Sequence, residues 1–103
     1  MFDILPEAES EGLRAAGWYD AANPGKGNDF LDELYLSYRS IQQMPSSFPP
    51  LTPRRLTGDF RFHAMDRFQY IIYFRVKNGD ILIVAISHYR RQPFYWTGRL
   101  KHR

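Results

Sequence analysis

The sequence contains no cysteine. Disulfides, thiolate metal sites and thiol nucleophiles are therefore excluded, and the composition suits a reducing compartment. Long apolar runs are also missing. The longest, Ile81 to Ile86, falls far short of the ~20 residues that a membrane-spanning helix needs. Met1-Phe2-Asp3-Ile4-Leu5-Pro6-Glu7 has neither the basic flank nor the apolar stretch of a signal peptide, so no membrane association and a cytoplasmic location are expected. No HExxH, P-loop or GxSxG pattern occurs, and the three histidines are scattered. Neither a metal nor a cofactor is expected from that pattern. Acidic residues are scarce in the second half. Residues 51–103 hold three (Asp59, Asp66, Asp80) against eleven basic residues, whereas residues 1–50 hold eight acidic and three basic. His63, His88 and His102 also fall in the second half. This asymmetry predicts one positive surface and a polyanionic partner; the plainer alternative is a solvated basic face.

The 103 residues suit a single domain spanning 1–103, and at 44% hydrophobic they can fill one core. Ile4 and Leu5 can close a short first strand. Pro6 suits the first position of a helix, and Glu7, Glu9 and Glu11 suit its positive end. Ala8, Gly12, Ala15, Ala16 and Tyr19 recur at helical spacing and make a narrow face of small residues. Asn23-Pro24-Gly25 stops this helix. Asn28 or Asp29 can cap a second helix whose apolar face is Phe30, Leu31, Leu34, Tyr38 and Ile41, ending near Met44 before Pro45. Pro45 to Pro53 reads as a loop. Beyond it the period becomes extended: an interrupted signal over 55–63, a stronger one over 68–77, and a return over 80–87. Asn78-Gly79 predicts a type I′ hairpin turn between the last two. The segment from Pro93 to Arg103 is expected to be a short helix or a frayed tail. The fold class expected is α+β: an N-terminal helical hairpin packed on one side of a small, twisted, mainly antiparallel sheet. The other sheet face and its rim are left for the basic residues.

Chemistry concentrates in Ser87-His88-Tyr89-Arg90-Arg91-Gln92-Pro93. Guanidinium forks match phosphate oxygens, imidazole exchanges protons near neutral pH, and aromatic rings stack on unpaired bases. RNA cleavage uses such parts: a base for the 2′-OH, an acid for the leaving oxygen and cations for the developing charge. His88, Arg90, Arg91 and Arg67 are the catalytic candidates on this reading; Arg61, His63, Tyr89 and Tyr95 are the candidate RNA contacts. Alternation on an extended strand puts Arg61 and His63 on one face. Tyr95, Trp96 and Arg99 can either add stacking or cover the core, and Trp96 suits the core.

Together these segments resemble the RelE/ParE toxin superfamily, in particular its plasmid-stabilisation branch. The resemblance rests on Trp18-Tyr19-Asp20, Asn23-Pro24-Gly25-Lys26-Gly27, Phe30-Leu31-Asp32-Glu33-Leu34, Phe48-Pro49, Arg67-Phe68-Gln69-Tyr70 before Ile72-Tyr73, and His88 with Arg91, Pro93 and Trp96. The family's usual Phe-Pro-Tyr reads Phe-Gln-Tyr here. The resemblance covers about Pro6 to Arg99 and implies a toxin of a type II toxin–antitoxin module. Its implied partners are an antitoxin that neutralises the basic sheet, and operator DNA reached only through that antitoxin. RelE-like members of the superfamily cut mRNA in the ribosomal A site; ParE-like members poison DNA gyrase without accepted catalytic residues. The segment from His88 to Arg91 favours RNA cleavage, with gyrase inhibition or a non-toxic basic interaction domain as the alternatives.

Overall fold

The computed structural model of the chain describes residues 1–53 and 56–100. Arg55, where the interrupted strand signal begins, and His102 lie outside them. Phe2–Ile4 form β1, and Pro6–Ala22 form α1 with Pro6 at its start and Glu7 and Glu9 in its first turn. The small-residue stripe buries Ala8, Gly12, Ala15 and Ala16, together with Glu11. This stripe admits α2, Lys26–Gln43, at close range. A Cβ on Gly27 would sit 2.5 Å from the Ala16 carbonyl oxygen, so only glycine fits where the helices meet. α2 begins earlier than the Asn28 or Asp29 cap expected. Gly25 takes the cap position with φ +92°, and the Asp20 carboxylate of α1 accepts the N–H groups of Gly25 and Gly27. That carboxylate serves the free donors and positive end of the helix, so no local cap is required.

The expected apolar face of α2 is borne out. Phe30, Leu34, Tyr38 and Ile41 are buried, Leu31 is partly buried, and Met44 is the C-cap. The loop after it contains a 3₁₀ turn, Pro45–Ser47, and a two-residue edge strand, β2 (Pro50–Leu51), that sequence pattern did not reveal. β3 (Asp59–Ala64), β4 (Tyr70–Lys77) and β5 (Asp80–His88) follow. Asn78 and Gly79 take φ values of +53° and +81°, as a type I′ turn demands. The five strands are ordered β1-β5-β4-β3-β2; β1 runs parallel to β5 and all other pairs are antiparallel.

The helical hairpin covers one sheet face. Ile72, Phe74, Ile83 and Ile86 are fully or almost fully buried, and Phe30 stacks on Tyr19 and meets Phe68 and Tyr70 edge-on. The second face, expected to be left for basic residues, keeps only Arg75 and Lys77 beside an open cleft; most of it is covered. A strap from Pro93 to a 3₁₀ turn at Thr97–Leu100 folds back over it and seats Trp96 on Phe60 and Tyr73. The reason is visible in the strands. A bulge near Tyr73/Phe74 leaves Val84 unpaired, and Phe60, Tyr73, Val84 and Ala85 then present apolar surface away from the helices. Covering this surface removes it from water, and Trp96 has no exposure.

Candidate functional site

The site grows from an edge that the sheet leaves unfinished. β1 pairs only with Ile81 to Ile83, so beyond them the edge of β5 that faces away from β4 has no strand beside it. Its exposed peptide groups are met by side chains. Glu11, from α1, accepts the Ile86 N–H at 3.0 Å, and Arg99, from the strap, donates to the Val84 carbonyl at 3.0 Å. The two side chains also join each other by a two-pronged pair, both contacts 2.8 Å. Tyr95 donates its hydroxyl to the same carboxylate at 2.6 Å. Glu11 thus sits at the junction of α1, β5 and the strap. Burial pushes its pKa up, but the bonds from Arg99, Tyr95 and the Ile86 N–H outweigh burial and hold it below the ordinary carboxylate range. Burial and the hydrogen bond to Glu11 together push Tyr95 up to about 12.

Arg91 extends this network outward. Its guanidinium lies 3.7 Å from the centre of the Tyr95 ring and 3.6 Å from the Glu11 carboxylate, yet its side chain is 53% exposed. Beside it opens a groove of about 370 Å³ between α1 and the end of β5, walled by Arg14, Trp18, Tyr70, Ser87 and His88. Trp18 is 66% exposed, a large ring turned to solvent at the mouth. The His88 ring lies between Tyr70 and Tyr89, with centroids at 5.5 and 4.8 Å. Its Nδ1 accepts the Arg90 N–H at 3.2 Å, which leaves Nε2 to carry the proton of the neutral ring. Arg90 leans on Tyr89, donating from Nε to the phenol oxygen at 3.1 Å.

The structure therefore brings His88, Tyr89, Arg90, Arg91 and Tyr95 to one end of the sheet. The other candidates stand apart. Arg67 pairs with Glu33 of α2 at 2.9 Å, while the Asp66 and Arg67 N–H groups also bond Glu33. It lines a neighbouring cleft with Tyr89. Arg61 is 18% exposed and spends its guanidinium on Asp59 and on the carbonyls of Ser46 and Phe48, which pins the loop after α2. His63 packs edge-on against Phe48. Glu11, Arg14 and Trp18 were absent from the candidate set. A signal for Glu11 did exist: it sits one turn beyond Ala8, on the edge of the small-residue stripe, where a charged residue has to be buried or paired.

The model of the ParE toxin of type II toxin–antitoxin systems (parDE) matches residues 2–93. This chain belongs to the ParE toxin family. Its fold is similar to that of a solved chain described as a chromosomal ParDE toxin–antitoxin system from P. aeruginosa, with a TM-score of 0.69 at 19% sequence identity, covering 84% of this chain and 92% of that one. Among curated proteins, no sequence matches significantly. Membership of the family implies an antitoxin partner for this toxin-type chain. No helix among the described residues is long and apolar enough to cross a membrane.

Proposed function

We propose that this ParE-family chain acts as a toxin by binding and blocking its target without cutting it, with DNA gyrase as that target. The observation that carries this reading is how the cations are used. Arg61, Arg67 and Arg99 are held by internal carboxylates and carbonyls, and Arg91 is stacked on Tyr95. A phosphoryl-transfer site needs its acid, base and cations aimed at one reacting phosphate. Here Tyr95 donates to Glu11 with its pKa pushed up to about 12, far from the range of a neutral-pH base. What stays available is a rim suited to docking: Trp18, Arg14, Tyr89, Arg90 and the outer side of Arg91. Aromatic and arginine side chains of this kind anchor protein interfaces.

The test is a pair of reactions with purified chain. One contains gyrase and relaxed plasmid; the other is a reconstituted translation mixture. Blocked supercoiling with continued translation supports the reading. Cuts in mRNA at the ribosomal A site, with supercoiling intact, would overturn it and restore the nuclease assignment to His88, Arg90 and Arg91. The antitoxin is expected to cover the same rim. Arg90 and Arg91 should be protected on complex formation, and Arg61 should change little because it is already occupied.

A further inference from the structure

Another cleft lies on the sheet face opposite the helical hairpin, at the far end of β4 from Tyr70, which walls the groove at His88. It measures about 460 Å³ and is walled by Leu56, Thr57, Phe60, Arg75, Lys77 and Leu100, with no carboxylate in its lining. Arg75 and Lys77 are two residues apart on β4, so alternation puts both on one face, about 7 Å apart. Neither forms an ion pair among the described residues. The carboxylates on the two flanking strands are already taken. Asp80, directly across from Lys77, holds the Met1 ammonium at 2.7 Å. Asp59, across from Val76, holds Arg61 at 2.8 Å. The Nε of Arg75 is buried and has no hydrogen-bond partner among the described residues. A guanidinium N–H shielded from water without an acceptor is costly and leaves this cation short of partners, so an oxyanion at its outer nitrogens supplies the missing countercharge.

We propose that this cleft binds a phosphate group, with the Arg75 fork and the Lys77 ammonium on its oxygens and the Thr57 hydroxyl at its wall. Arginine matches tetrahedral oxyanions through paired N–H donors, and lysine adds a point charge. The apolar walls from Leu56, Phe60 and Leu100 exclude water from one side and strengthen both contacts. The phosphate can come from free inorganic phosphate or from a nucleic-acid backbone. Neither source depends on the groove at His88.

The test is a titration of ¹⁵N-labelled chain at fixed ionic strength, once with inorganic phosphate and once with a twelve-nucleotide thymidine single strand. Saturable shifts are expected at the Thr57 and Lys77 amides and at the Arg75 Nε–H, with none at His88 or Arg91 for inorganic phosphate. Lys77→Gln and Arg75→Gln should each weaken binding about tenfold or more. Lys77 is exposed, so its variant decides the matter if Arg75→Gln lowers stability. Tighter, strongly salt-dependent binding of the strand through these residues identifies a nucleic-acid backbone as the source. Equal affinity for the two probes identifies free phosphate. Shifts that do not saturate, that fall elsewhere, or that persist unchanged in both variants would overturn the proposal.

Discussion

Replacing Glu11 with alanine tests the junction that holds the functional end together. The carboxylate is 8% exposed and accepts four contacts: the Ile86 N–H, the Tyr95 hydroxyl and two Arg99 N–H groups. Removing one partner of a buried pair leaves the other charge uncompensated and costs about 3–5 kcal/mol. Arg99 remains 17% exposed and keeps the Val84 carbonyl, which places the expected loss near the lower end, about 3 kcal/mol. For a domain of this size each kcal/mol moves Tm by about 4–8 °C, so Tm should fall by about 12–24 °C. Glu11→Gln keeps the shape and an acceptor and should lose less. Removing Arg99 as well should recover part of the loss, because no buried charge is then left alone. The same network predicts acid sensitivity. The folded-state pKa of Glu11 lies below its ordinary value of 4.5, so its contribution is present above that pH and disappears as pH falls through the lowered value. Calorimetry across pH, with Glu11→Gln as the comparison, reads both effects. A Tm change under 3 °C for Glu11→Ala, or identical acid profiles for the two proteins, would refute the assignment of Glu11 as the anchor of the strap.

Three further outcomes follow from the packing and the site. Trp96→Ala should cost about 3–5 kcal/mol and release the strap, seen as lost protection of Phe60 and Tyr73 amides in hydrogen exchange; unchanged protection would contradict the two-faced core. Gly27→Ala should destabilise by about 1–3 kcal/mol in denaturant unfolding, because its Cβ meets a backbone oxygen that cannot step aside, and a neutral result would mean the helices separate more easily than their contact suggests. Arg91→Ala should leave Tm within a few degrees, its side chain being 53% exposed, yet lower growth arrest on induced expression; full toxicity in that variant would remove Arg91 from the docking rim.

Much of the fold was legible because local signals agreed with one another. The small-residue stripe of α1, the apolar face of α2 and the Asn78-Gly79 turn each have one natural partner arrangement, and each forms it. What the pattern concealed depends on contacts distant in sequence. The cap of α2 comes from Asp20 on the previous helix, and the register of β2 rests on two residues. The strap is held by Glu11 from 88 residues away. The site was legible only in part for the same reason. The segment from His88 to Arg91 is contiguous, so its clustering could be read directly. Asp59 beside Arg61 was within reach of a sequence reading, but the Phe48 carbonyl that holds Arg61 and the Glu33 carboxylate that holds Arg67 are distant in sequence, so whether the two were free could not be read. Charge counted along a sequence does not distinguish a cation that faces solvent from one that closes a loop.

The most direct measurement of the central claim is supercoiling by DNA gyrase in the presence of the purified chain, followed with intact chain and with Arg91→Ala. The intact chain should block supercoiling, the variant should block it poorly, and mRNA in a parallel translation reaction should stay whole. Undisturbed supercoiling together with A-site cleavage of mRNA would contradict the claim.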